Sequence, residues 1–210
     1  MSDTFKEKKY QVIKNAISPE VANFCFNYLL LKRDAVKYMI ESGELPNDWL
    51  GTLGDSQIPN SYCCYSDPVM ETLLVKVIST MKEHTKLDLV PTYSYTRLYE
   101  KGAELKRHKD RPSCEISTTM NLGGDEWSIY LEPSGEENKK GIKIDLKPGD
   151  MLIYSGCDLE HWREPFEGNI CGQVFLHYNH KNGPFALTNK FDKRPYLGLP
   201  GFFQNHIKIN

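Results

Sequence analysis

The hydrophobic pattern of this chain changes period once, at Pro91, and that change limits the fold more than any other feature. Before it, apolar residues recur at helical spacing; after it, they alternate. Tyr93, Tyr95, Arg97 and Tyr99 alternate with Ser94, Thr96 and Leu98, so one face of this strand is aromatic and basic. Short strand-like runs follow at 105–110, 114–121, 127–132, 141–145, 150–154, 160–163 and 171–178, divided by Gly-Gly, Pro-Ser-Gly and Pro-Gly turns. Helices followed by many short strands predict an α+β chain with a double-stranded β-helix (jelly-roll) core, braced from outside by N-terminal helices.

A chain of 210 residues suits one domain with a sizeable core. We read residues 1–90 as a helical support region, 91–180 as the jelly-roll core and 181–210 as a loop-rich tail. Residues 9–17 read as a short strand. Ser18-Pro19-Glu20 then supplies an N-cap, a proline for the first turn and an early acid, ahead of Val21, Phe24, Cys25, Tyr28 and Leu29 at helical spacing. A second helical piece is expected at roughly 33–42, ending at Gly43. Asp67-Pro68 opens another helix with Val69, Leu73, Leu74, Val77, Ile78 and Met81 as its apolar face. Between them, 45–67 reads as a long loop, either a cover over a site or an irregular packed excursion.

Three residues stand out chemically. His108 and Asp110, two apart in extended chain, present an imidazole and a carboxylate on one face. His161, from a strand expected beside theirs, would complete a set of two histidines and one carboxylate. Such a set leaves other metal positions open and favours non-haem Fe(II); structural zinc takes four closed ligands, often cysteines. The six cysteines, at 25, 63, 64, 114, 157 and 171, form no Cys-x-x-Cys pair and read as reduced thiols.

The surroundings carry a resemblance. Tyr99-Glu-Lys-Gly102 precedes His108-Lys-Asp110 at the right interval, and Pro148-Gly149-Asp150 leads an apolar run toward His161. This combination, over residues 93–180, resembles the 2-oxoglutarate/Fe(II)-dependent dioxygenases, especially their prolyl-hydroxylase-like branch. The resemblance implies an oxygenase that hydroxylates an unactivated C–H bond with release of succinate and CO₂. Its cofactors would be Fe(II) on His108, Asp110 and His161, 2-oxoglutarate and O₂, with ascorbate as a compatible reductant. A carboxylate at Asp110, where halogenases of the family keep a small residue, favours hydroxylation over halogenation.

The family often places Lys or Arg about ten residues after the distal histidine to hold the far carboxylate of 2-oxoglutarate. Here that position is Cys171, with Gln173 two further on, and no basic residue lies between Arg163 and Lys181. A buried dicarboxylate still needs a cation. Arg163 ranks first, because it shares the face of His161, unless it pairs with Glu160 or Glu164. Arg97, on the aromatic face, ranks second; Arg111 is third and expected to point outward. Tyr99 matches the family tyrosine that reaches the co-substrate. Ser117, Thr119 and Asn121 alternate on the next strand and either line the co-substrate pocket or mark an exposed edge, with Asn121 aligned to a position near the distal carboxylate. Trp162 should point away from the metal. His177 and His180 read as substrate-side or structural.

The net charge of −2 gives no electrostatic footprint for nucleic acid, although Lys101, Lys106, Arg107, Lys109 and Arg111 crowd the His-x-Asp motif. The N-terminus has no apolar signal segment, and no run of eighteen apolar residues occurs, so a cytoplasmic protein without membrane partners is expected. Peptidyl proline or another protein side chain, a free amino acid and a small metabolite all remain as substrates, and the sequence carries no sign of oligomeric state. Two rivals stand beside this reading: a jelly-roll metal-dependent dioxygenase or isomerase that takes no 2-oxoglutarate, and a metal-bearing binding module without turnover.

Overall fold

The computed structural model describes residues 4–205 apart from 60, 135, 137 and 138. Two antiparallel sheets form its centre. The elements before Pro91 are helix α1 (Thr4–Lys8), strand β1 (Tyr10–Ile13), helix α2 (Pro19–Glu41), strands β2 (Thr52–Leu53) and β3 (Tyr62–Tyr65), and helices α3 (Pro68–Lys76) and α4 (Ile78–Thr85). Strand β4 (Leu89–Glu100) then begins the run of β5 (Leu105–His108), β6 (Ile116–Gly124), β7 (Ile129–Leu131) and β8 (Ile142–Ile144). Strands β9 (Met151–Ser155), β10 (His161–Arg163) and β11 (Ile170–His180) complete it. The larger sheet has the order β1-β9-β6-β11-β4-β3-β2, and the smaller β5-β10-β7-β8.

Alternation decides what each sheet face does. On the central strands β4, β6 and β11, Leu98, Met120, Leu122, Val174 and Leu176 turn outward and are buried under α2 and α3, whose Ala22, Cys25, Leu29, Leu73 and Leu74 pack on them. Burying each such aliphatic side chain contributes roughly 1.5–3 kcal/mol, so Leu29→Ala should cost about 2–5 kcal/mol. Gly172 lets this layer close, because a Cβ there would come within 2.5 Å of the Phe26 ring. The opposite faces of the same strands carry Arg97, Tyr99, Ser117, Thr119 and His177 inward. The functional site lies there, between the sheets.

The helix signals at Ser18 and Asp67 are realised as drawn. Ser18 Oγ accepts from the Val21 amide and Asp67 Oδ1 from those of Val69 and Met70. Two local expectations are corrected. The second helical piece at 33–42 is the continuation of α2, which runs unbroken through a buried Lys32 that pairs with Asp67 at 2.5 Å. Segment 45–67 contains β2 and β3, which extend the large sheet along β4. The short strand expected within 9–17 is β1, which edges that sheet beside β9.

Candidate metal centre

Strand β5 ends at His108, so Asp110 lies just past the strand rather than within it. Its backbone is nonetheless held, since the Asp110 amide donates to the Gly156 carbonyl at 2.8 Å. Gly156 must be a glycine: a Cβ there would meet Asp110 Oδ2 at 2.4 Å and Ser117 Oγ at 2.8 Å. His161 opens β10 and stands opposite His108 in the β5–β10 register. The pairing shifts between His161 and Arg163, yet both residues face inward and Trp162 outward, where it stacks on Tyr130 and under Arg107.

The tautomers follow from the partners. His108 Nδ1 lies 2.8 Å from the Lys106 carbonyl and His161 Nδ1 3.1 Å from that of Leu159. A carbonyl only accepts, so both Nδ1 atoms carry hydrogen and both Nε2 atoms offer lone pairs. Those Nε2 atoms lie 3.7 and 3.5 Å from Asp110 Oδ1. One ligand atom from each residue falls within 4.8 Å of the others. Asp110 Oδ2 accepts from Ser117 Oγ at 2.9 Å, which orients the carboxylate. Burial would raise the Asp110 pKa, but His161, His177 and the Ser117 hydroxyl outweigh it and hold the carboxyl well below the usual range. Burial, then the facing His161, push His108 down and keep it neutral. An ionised carboxylate beside the neutral His108 imidazole is the state that a metal ion requires of its ligands.

The triad borders a cavity of about 700 Å³. Tyr93, Tyr95, Tyr99, Tyr154 and Phe175 give its wall an aromatic part, and Arg97 and Asp55 face it from the side of segment 45–67.

No family model matches the sequence, and no curated protein matches it. Solved structures do match. A prolyl-4-hydroxylase from Pseudomonas putida aligns over 85% of this chain and 96% of its own, at 14% identity and a TM-score of 0.61. HygX from Streptomyces hygroscopicus, solved with nickel and 2-oxoglutarate, aligns over 86% of each chain at 12% identity and a TM-score of 0.59. The non-haem α-ketoglutarate-dependent epimerase SnoN of nogalamycin biosynthesis aligns over 83% of this chain and 79% of its own, at 13% identity and 0.58. The fold is that of the 2-oxoglutarate/Fe(II) oxygenases.

Within this oxygenase fold the basic residues divide. Arg163 is 1% exposed and is not among the cavity's lining residues. Its Nη1 donates to the Trp127 carbonyl and its Nη2 to Thr119 Oγ1 at 3.3 Å, while Nε has no partner. The alternative salt bridges are not formed: Glu160 takes Arg107 at 2.6 Å, and Glu164 accepts from Trp162 Nε1. Among the described residues no carboxylate pairs with Arg163, and burial lowers its pKa from the ordinary value. Cys171 and Gln173, which stand where a later cation would, bond each other, Gln173 Nε2 to Cys171 Sγ at 3.3 Å. Tyr99 is fully buried, packs edge-on against Trp127, and lines the cavity.

Two sequence expectations change here. Asn121 turns its Nδ2 to the Leu146 carbonyl at 3.0 Å and is not among the cavity's lining residues, because β9 covers β6 on that side and its loop reaches over Asn121. Arg111 does not simply point outward: it lines the cavity and forks onto Asp192 through two 2.8 Å bonds. The exposed-edge reading of Ser117, Thr119 and Asn121 also falls, since β6 lies inside the sheet and all three are buried. Asp55, Asp192 and Ser117 as a partner of Asp110 are site residues that alternation and motif spacing did not find.

Proposed function

We propose that this chain is an Fe(II)- and 2-oxoglutarate-dependent oxygenase acting on a C–H bond of its substrate, with hydroxylation as the outcome. The observation that carries the reading is the convergence of two tautomer-fixed imidazole Nε2 atoms on one Asp110 oxygen at the border of a cavity. His108, Asp110 and His161 would hold iron from one side and leave its other positions facing the cavity. When bound, Fe(II) and 2-oxoglutarate supply the oxidising chemistry, O₂ being consumed as the 2-oxo acid loses CO₂ to become succinate.

This chain's residues do the rest. Arg163, buried and without a carboxylate of its own, holds the far carboxylate of 2-oxoglutarate, with Thr119 Oγ1 fixing one arm of its guanidinium. Tyr99 lines the cavity beside it, and the charges of both Arg163 and Arg97 bear on its hydroxyl.

The test is anaerobic addition of Fe(II) and 2-oxoglutarate to the full chain. A weak visible absorption band of the chelate, absent in His161→Ala, followed by succinate release on oxygenation, is expected. Bound iron with no band would favour a metal-dependent dioxygenase that takes no 2-oxo acid. An epimerase outcome, which the same fold accommodates in SnoN, would appear as succinate release with no oxygen atom incorporated into the product.

A further inference from the structure

Arg97 is the second buried arginine of the site, and it is differently placed from Arg163. It lines the cavity from β4 and is 4% exposed. Its Nη2 donates to Asp55 Oδ2 at 2.5 Å and to Gln57 Oε1 at 2.8 Å, whereas Nη1 is buried without a partner among the described residues. Leaving a buried donor unpaired is costly, more so on a cation. Asp55 cannot turn to satisfy it. Its Oδ2 also accepts from the Tyr95 hydroxyl at 2.6 Å, and its Oδ1 from the amides of Gln57 and Ile58 at 2.9 and 2.8 Å. Both carboxylate oxygens thus already serve four donor groups, and neither is turned to Nη1.

The guanidinium is also rigid. Its carbon lies 5.3 and 5.8 Å from the ring centres of Tyr95 and Tyr99. Further along the cavity wall come Tyr65, Tyr93 and Phe175, with Lys109 as added positive charge and Arg111 already paired with Asp192. A rigid cation with a free donor, set in an aromatic wall beside the triad, reads one kind of ligand: an anion on an apolar body.

We propose that Arg97 is the substrate-reading residue, its free Nη1 binding a carboxylate of a substrate whose apolar part lies against the tyrosine and phenylalanine wall. This rests on the oxygenase reading for the reaction, but the recognition itself belongs to side chains of this chain.

The probe pair is 3-phenylpropanoate and its uncharged amide. Both are titrated calorimetrically into the full chain loaded with Mn(II) and saturating 2-oxoglutarate under nitrogen, so that the co-substrate position is filled, and again into the metal-free chain. Wild type should bind the acid at least about tenfold more tightly than the amide, as expected for a hydrogen bond to a charged group. Arg97→Met should abolish that preference and Arg97→Lys retain part of it, with 2-oxoglutarate affinity unchanged in both. Equal affinity for acid and amide in wild type overturns the proposal without recourse to any variant. So does an acid preference that survives in Arg97→Met, or a loss of 2-oxoglutarate affinity in that variant, which would make Arg97 the co-substrate's cation. Failure of the metal-loaded wild type to bind 2-oxoglutarate overturns the oxygenase reading instead, and the metal-free titration still decides the role of Arg97.

Discussion

His161 faces His108 across the β5–β10 pair, with the ring centres 4.3 Å apart and each Nδ1 tied to the carbonyl two residues before it. The two imidazoles are therefore set by the backbone of their own strands before any metal arrives. Replacing His108, Asp110 or His161 by Ala should remove Fe(II) or Mn(II) binding while leaving the fold, because the sheets hold this geometry without help from a metal. Metal titration beside a thermal melt checks both halves. Wild-type affinity in His161→Ala would refute the triad.

Arg163→Met tests the co-substrate assignment. Losing a fork onto a charged group should cost roughly 3–5 kcal/mol, as breaking a buried pair does. That corresponds to a rise of about two orders of magnitude or more in the 2-oxoglutarate Kd. The Met side chain fills much of the same space, so the melt should move little by comparison. An unchanged Kd would return Arg163 to a structural role against Trp127.

What could be read from the sequence follows from which constraints are local. Two-residue alternation carries His108 with Asp110 and His161 with Arg163, so the inward-facing set was legible even where the strand ended early or its register shifted. Lys32 was not legible, since a lysine among Lys-Arg-Asp reads as a solvated helix surface. Only the fold shows it 8% side-chain exposed and bonded to Asp67 and the Trp49 carbonyl. Tyr62–Tyr65 was hidden in the same way: a four-residue strand amid Pro, Asn and Ser has too little pattern to stand out, and its pairing with β4 is non-local. Asp55 reaches the cavity from a loop, and Asp192 reaches its lining residue Arg111 from the tail, where no period links a residue to its neighbours.

The tail is anchored by a buried ion pair, and that makes a stability prediction. Arg194 Nη2 meets Glu71 Oε1 at 2.7 Å with both side chains at most 2% exposed, and Glu71 also accepts from the amides of Ser94 and Gly198. Burial raises the Glu71 pKa despite the Arg194 guanidinium, so removing that guanidinium leaves a carboxylate poorly able to stay charged. Arg194→Met should destabilise by about 3–5 kcal/mol, a fall of roughly 10 °C in Tm for a domain of this size. Adding Glu71→Gln should recover part of the loss, because it removes the stranded charge. An Arg194→Met protein melting within a degree or two of wild type would contradict the buried pair.

His177 supplies the pH prediction. It is buried in β11 with Nδ1 2.9 Å from Ser117 Oγ and its ring centre 4.5 Å from that of Tyr93. Its pKa is pushed down to about 4, first by burial; Asp110 and Asp192 pull it up, and Arg111 and His161 push it down. The unfolded chain has a histidine near the ordinary 6.5. Between those values the unfolded state binds the extra proton and the folded state does not, so stability falls as pH falls through that window. The loss begins below about 6.5, is complete near 4, and amounts to about 3 kcal/mol for a shift of this size. His108, also lowered, contributes in the same direction, so the comparison must isolate His177. Urea unfolding of the metal-free protein at pH 7 and pH 4.5 should show most of this drop in wild type and a clearly smaller one in His177→Phe, whatever the variant's absolute stability. Equal drops in the two proteins would mean that His177 is protonated in the folded state and that its neighbours, Asp110 above all, outweigh its burial.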